Sequence, residues 1–169
     1  SVTYSGANQS VSGFTVSGLK GSDAISNLSS ISATGATAKN VGSYTNTVTA
    51  GTETNYNVST VNGSLQIGKA NLILSGTREY DASKTFAGSF LTATGVGGES
   101  FAITGAGDAS NLSSKNVQAN QLLASLTGLS LGASNGTNTA LSSNYDAIST
   151  TGSSVSVTRK AATVTGTTT

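Results

Sequence analysis

The sequence predicts an all-β fold. Three observations carry that expectation: apolar residues alternate with Ser, Thr and Asn over short stretches, 21 glycines punctuate the 169 residues, and one ordered set of landmarks is passed twice. "YSG" at Tyr4 returns as "YDA" at Tyr80, and Lys39-Asn40-Val41 returns as Lys115-Asn116-Val117, both after 76 residues. "NYNVSTVNGSLQIGKA" (55–70) returns as "NYDAISTTGSSVSVTRKA" (144–161), and "GLKG" at Gly18 pairs loosely with "GVGG" at Gly95. The third landmark arrives later in the second pass, so an insertion lies between Val117 and Asn144, with "LGASNGTNTALSS" as the extra loop. Each pass spans roughly 70 to 90 residues, enough for a small core of its own and far longer than a solenoid rung.

The elements follow in chain order. "SDAISNLSS" is the one stretch with helical spacing, Ile25 and Leu28 three apart behind a possible Ser22 cap. Its counterpart "ESFAITGAG" reads as a strand. In "AKNVGSYT" the Asn40 and Gly42 pair suits a bend, and Tyr44 then enters a strand. Gly-x-Tyr before a strand suggests a tyrosine corner, in which the phenol bonds a nearby backbone group. The second pass has Gln118 and Asn120 there, so the corner belongs to the first module alone. "NYNVSTV", with Tyr56 and Val58 on one parity, leads to Asn62-Gly63 and the return strand "SLQIG". Asn-Gly favours a type I′ turn, so a hairpin is expected. Tyr145, the Thr151-Gly152 turn, Val155 and Val157 repeat the pattern. "ANLILSGT" and "QLLASLTGLSL" are further strands, expected to be buried on much of both faces. The tail "ATVTGTTT" resembles "NLILSGT", and both follow a Lys-Ala pair.

The resulting organisation is one module over 1–69 without its own first strand, a second over 70–160, and the first strand of a following module over 161–169. Two small immunoglobulin-like β-sandwiches in tandem fit this pattern. The alternative is a β-grasp-like module with "SDAISNLSS" as its helix. Ser1 opens mid-pattern, which reads as an internal piece of a longer protein.

Composition narrows function by exclusion. Net charge is +1, only 9% of residues are charged, and no basic cluster is interleaved with aromatics, so nucleic acid and anionic membranes have no electrostatic handle. No apolar run approaches the roughly 20 residues of a membrane span. His, Cys, Met, Trp and Pro are all absent. Without His and Cys, transition-metal sites and the common nucleophile–base pairs lose their usual residues, and any catalytic serine would need a lysine or carboxylate as base. No enzyme activity and no cofactor are expected. The seven acids are scattered, and Glu79 and Asp81 flanking Tyr80 are the best calcium candidates, short of the six to eight oxygens calcium takes. Lys39 and Asn40 are sequence neighbours that point apart on a strand, which makes them poor partners for an isopeptide bond. Asn8, Asn27, Asn57, Asn62, Asn111 and Asn135 each begin an Asn-x-Ser/Thr sequon.

The order Tyr-x-Gly, "SGLKGSD", "AKNVGSYT", "NYNVSTVNGSLQIGKANL" resembles the MBG repeat of large bacterial surface proteins. "REYDASKTFAGSFLTATGVGGESFAITG", "SKNV" and "NYDAISTTGSSVSVTRKA" are similar to the companion YDG-type repeat. Ala82 and Gln118 stand where glycine is expected. The resemblance implies tandem modules in secreted, filamentous-haemagglutinin-like adhesins exported by two-partner secretion. There they serve as extracellular stalk segments at the bacterial cell surface, supporting adhesion or biofilm formation. A glycan- or protein-binding module of the same adhesin is the alternative. The implied partners are neighbouring repeats, with a host or matrix ligand as a further option, and the fragment is expected to be monomeric. A short connection through "IGKANL" would make such an array a stiff rod. The repeat markers are then Tyr4, Lys39, Asn40, Val41, Tyr44, Tyr56, Asn62 and Gly63, answered by Tyr80, Lys115, Asn116, Val117, Tyr145 and Gly152.

Overall fold

The computed structural model describes residues 1–135 and 140–167. The chain forms two compact units, Ser1–Lys69 and Ala70–Thr169. Both are built of strands, and the only helical pieces among the described residues are four single 3₁₀ turns. The "SDAISNLSS" segment supplies one of these, Ile25–Asn27, with the Asn27 side chain accepting the Ala24 N–H at 2.7 Å. Ser22 is not its cap. A single turn cannot serve as the packing helix of a β-grasp module.

In the first unit, β1 (Val2–Thr3) lies parallel to β7 (Gly63–Gly68), and β5 (Gly42–Asn46) runs antiparallel on the other side of β7. Two ladders complete it: β2 (Gln9–Val11) with β4 (Ala36–Ala38), and β3 (Ile31–Ala33) with β6 (Val48–Ala50). The buried apolar side chains of this unit are Tyr4, Leu65 and Ile67.

The second unit hangs on one six-stranded sheet in the order β11-β13-β8-β9-β10-β12. These strands are β8 (Ile73–Glu79), β9 (Leu91–Thr94), β10 (Ser100–Thr104), β11 (Gln118–Gln121), β12 (Ser130–Ser134) and β13 (Ser154–Thr158). Their inward positions are Leu74 on β8, Leu91 and Ala93 on β9, Phe101 and Ile103 on β10, and Val155 and Val157 on β13. Connecting segments close the core with Phe86, Leu112, Leu123, Leu129 and Tyr145. Phe101 and Tyr145 meet edge to face, 5.5 Å between ring centroids.

The repeat register is visible in hydrogen bonds. Val2 pairs with Ile67 as Arg78 pairs with Val157, both parallel. Gly42 pairs with Ile67 as Gln118 pairs with Val157, both antiparallel. The Tyr4 N–H donates to the Gly68 carbonyl at 2.8 Å, and the Tyr80 N–H donates to the Thr158 carbonyl at 2.9 Å. Each module is therefore closed by a parallel pair of its first and last strands, with the strand after Lys-Asn-Val on the far side.

Several local expectations are corrected. The Asn62-Gly63 hairpin does not form: residues 52–62 have no strand, and Val61 is 87% exposed. A type I′ turn needs positive φ at both central residues, and neither Asn62 nor Gly63 has it. β7 is held by β1 and β5 instead. In the second unit Gly152 does turn at φ 70, and the Ser153 N–H reaches the Thr150 carbonyl at 3.1 Å. That turn feeds a strand whose partners are β8 and β11, so it too closes no hairpin. "QLLASLTGLSL" is broken between β11 and β12 by a loop that buries Leu123 and Leu129. β8 alternates cleanly, with Leu74 fully buried and Ile73 45% exposed, because connecting segments cover only one face of the sheet. The expected inserted loop contributes β12 to the sheet edge, and its residues 136–139 lie outside the described residues. In the first unit, expected to be without its first strand, β1 (Val2–Thr3) pairs parallel with β7.

Two glycine positions are dictated by close approach. A Cβ on Gly76 would stand 2.0 Å from the Phe90 carbonyl oxygen, and one on Gly95 would stand 2.3 Å from the Tyr145 hydroxyl. Ala82 instead adopts φ 63. This left-handed conformation costs a non-glycine residue about 1 kcal/mol or more, and it falls where the resembling repeats carry glycine.

Leu74→Ala should lower the stability of the second unit by about 2–5 kcal/mol, the range for buried Leu truncations. Ile73→Ala, on the exposed face, should cost much less. Thermal unfolding that separates the two units would check this, with the first unit unmoved.

Candidate functional site

The two third-landmark tyrosines make the same polar contact. The Tyr145 hydroxyl donates to Glu99 Oε2 at 2.7 Å and accepts the Val96 N–H at 3.1 Å. The Tyr56 hydroxyl donates to Asp23 Oδ2 at 2.6 Å and accepts the Lys20 N–H at 3.1 Å. Lys20 and Val96, and Asp23 and Glu99, are separated by the same 76 residues as the other early landmarks. The loose "GLKG"/"GVGG" pairing is thus the donor side of a tyrosine–carboxyl clasp, and the acid just beyond it is the acceptor. This clasp was missed in the sequence. Its signal was an acid at a fixed distance after the second glycine of both passes.

The environments differ. Tyr145 and Glu99 are each 2% exposed. Ala70 anchors the backbone of Tyr145 by a parallel bridge: its N–H donates to the Asn144 carbonyl at 3.1 Å, and its carbonyl accepts the Asp146 N–H at 2.9 Å. Tyr56 is partly open, and its hydrogen bond to Asp23 pushes the phenol above its ordinary pKa.

The acids proposed for calcium are held by cations of the same unit. Arg78 is buried on the inward face of β8, its guanidinium 5.6 Å from the Phe86 ring centroid. It donates to Asp81 Oδ1 at 2.5 Å, to the Glu79 carbonyl at 2.9 Å and to the Ser83 carbonyl at 2.6 Å. The Ser83 N–H and then Arg78 hold the Asp81 carboxyl below its ordinary pKa. Glu79 meets Lys160 at 3.1 Å on the surface.

Two asparagines act as loop knots. Asn111, fully buried, accepts the N–H groups of Phe86 (3.2 Å) and Asp108 (2.7 Å) and donates to the carbonyls of Ser125 (3.2 Å) and Thr127 (3.0 Å). Its burial rules out its sequon as a sugar acceptor in the folded unit. Asn46 accepts the Gly35 N–H at 2.8 Å and donates to the Gly13 carbonyl at 2.9 Å.

The remaining markers are structural positions. Lys39-Asn40-Val41 is a bend between β4 and β5, and Lys115-Asn116-Val117 precedes β11. The Tyr44 hydroxyl donates to the Asn40 carbonyl at 3.0 Å, the bond of a tyrosine corner, and its ring lies against Gly42. In the second unit Asn120, at φ 53, sits in an interrupted register between the Gln118 and Gln121 pairs. The Asn62 side chain accepts the Val48 N–H at 2.9 Å, and Gly63 opens β7 opposite Asn46. Tyr4 is buried, and Tyr80 is partly so.

One larger concavity lies in the first unit. It has a volume of about 510 Å³ and is walled by Phe14, Val16, Leu28, Ile31, Val48 and Val58, with Tyr56 and Gly63 among its lining. No cluster of His, Cys, Asp or Glu among the described residues could hold a metal ion. No helix is long and apolar enough to cross a membrane among the described residues.

Residues 1–66 match the family model of the MBG domain, YGX type, which supports an MBG/YDG-type repeat and fits a repeat domain of a surface protein. No curated protein and no solved structure matches the chain significantly.

Tyr145→Phe should destabilise the second unit by about 1–3 kcal/mol, because it strips the phenol from a buried carboxyl oxygen and a backbone N–H. Tyr56→Phe, at an open clasp, should leave the first unit nearly unchanged. Denaturant unfolding of both variants compares them directly. Acid should destabilise the chain. Ser30 holds Glu53, the Ser83 N–H and Arg78 hold Asp81, and Ser110 holds Asp108 below their ordinary values of 4.5, 3.8 and 3.8. Their contribution is present above those values and is lost as pH falls through the lower folded ones. With no histidine in the chain, the melting temperature should be nearly flat from about pH 5 to 8 and fall below about pH 4.

Proposed function

We propose that this segment is a non-catalytic structural spacer of a bacterial cell-surface adhesin. It sits outside the cell and extends a distal adhesive region. The observation that carries this reading is the recurrence of one closing geometry, the parallel first-to-last strand pair, in two consecutive units. Repeated modules whose shared features are structural bonds are what a spacer requires. The marker residues support it: Tyr44 bonds its own bend, and Tyr145 bonds a buried carboxyl. Acids that would serve a calcium site are engaged with Arg78 and Lys160. The low charge and abundance of Ser, Thr and Gly suit a surface exposed to solvent on all sides. The MBG match over residues 1–66 adds the surface-protein context.

Arrays of glycans and matrix proteins probed with the 169-residue chain should give no reproducible, saturable binding. Such binding, abolished by a substitution in either unit, would overturn the spacer reading in favour of a ligand-binding module.

A further inference from the structure

Asparagine is a thermolabile residue because the main-chain nitrogen of the next residue can attack its side-chain carbonyl carbon. A following glycine has no side chain to hinder that attack. Only Asn62 and Asn135 precede glycine in this chain, and Gly136 lies outside the described residues. Gly63 opens β7, and the residues ahead of it, 52–62, have no strand. The type I′ turn that would have fixed both Asn62 and Gly63 at positive φ is absent. Asn62 is exposed and Val61 beside it is 87% exposed, so water and hydroxide reach the pair.

The side chain is also activated. The Val48 N–H donates to Asn62 Oδ1 at 2.9 Å. That bond draws electron density from Cγ and stabilises the oxyanion that forms on Oδ1 when Cγ is attacked. The departing nitrogen, Nδ2, is not tied to any group among the described residues. Asn111 is the contrast within the same chain. It is fully buried, its Nδ2 donates to the carbonyls of Ser125 and Thr127, and the branched Leu112 follows it.

We propose that Asn62 is a self-modifying site that weakens the first unit with age, with water as its only co-reactant. The Gly63 nitrogen gives up its proton and bonds to Asn62 Cγ. The Cγ–Nδ2 bond breaks, and Nδ2 takes up a proton and leaves as ammonia. Water then opens either ring C–N bond of the succinimide that remains. Opening at Cγ gives aspartate, and opening at the α-carbonyl carbon gives isoaspartate. The isoaspartyl main chain is longer by the Cβ methylene, and it enters β7 where Gly63 pairs with Asn46. Asn46 is 4% exposed and ties the Gly35 N–H and the Gly13 carbonyl. The added methylene displaces that first rung and loosens the loops that Asn46 holds. Aspartate keeps the normal main chain and an acceptor for the Val48 N–H, so it is tolerated. The proposal rests on the surroundings of Asn62 and is independent of the spacer role.

The test is incubation of the intact 169-residue chain at mildly alkaline pH, folded and in urea, followed by peptide mapping for mass and for isoaspartate. In the folded chain residue 62 should exchange NH2 for OH at least as fast as in urea, with isoaspartate among the products. Gly63→Ala should keep Asn62 intact over the same period. Its added Cβ would lie 3.5 Å from Asn46 Nδ2 and 3.7 Å from Asn46 Cβ, which are ordinary contacts, and Gly63 has no positive φ, so the variant folds. The purified isoaspartyl-62 form should unfold at lower denaturant in its first unit than the unconverted chain, whereas Asn62→Asp should unfold with the wild type. An Asn62 that survives in the folded chain while it converts in urea, conversion undiminished by Gly63→Ala, or an isoaspartyl form as stable as the unconverted chain would each overturn the proposal.

Discussion

The structure of each unit depends on the parallel pairing of its first and last strands. Parallel neighbours cannot be joined by a tight turn, so everything between them must cross from one end of the module to the other. In the second unit that pairing runs from Ser75–Ser154 to Glu79–Thr158, and the whole sheet is arranged around it. In the first unit it is limited to Val2 and Thr3. The two units also differ in packing. The second unit buries leucines, two phenylalanines and a tyrosine on one face of a continuous sheet, whereas the first buries Tyr4, Leu65 and Ile67 and keeps an open cavity.

The polar clasps differ between the units as well. Tyr145 and Glu99 are both buried: Ala70, just ahead of β8, pairs with the Tyr145 backbone, and the hydroxyl packs against Gly95. Tyr56 and Asp23 have the same bonds in the open, so one motif is a buried structural element in one unit and a solvent-facing one in the other.

The sequence made the strand class and the repeat register legible, because both are carried by local patterns: alternation, and landmarks at a constant 76-residue spacing. It also showed the tyrosine corner, since Gly42 and Tyr44 act within a few residues of Asn40. What it hid was non-local. The Asn62-Gly63 hairpin is a sound local reading that loses to the long-range pairing of β7 with β1 and β5. The burial of Arg78 has no local signal: Asp81, Phe86 and the carbonyls of Glu79 and Ser83 converge on it from the end of β8 and the segment after it. Asn111 reads as a sequon and is a buried knot, a role set by four backbone groups from three separate segments. The clasp joins residues 33 apart in one unit and 46 apart in the other, so neither half announces the other.

Residue-resolved amide hydrogen exchange on the intact chain is the most direct measurement of this account. If closure by the first strand governs each module, the amides of β8 and β13 should be the slowest in the chain. In the first unit the Ser64–Gln66 amides on the unpartnered edge of β7 should exchange far faster than their counterparts in β13, and residues 52–62 should show almost no protection. Equal protection of β7 and β13, or a protected 52–62 segment of the kind a hairpin would give, would contradict it.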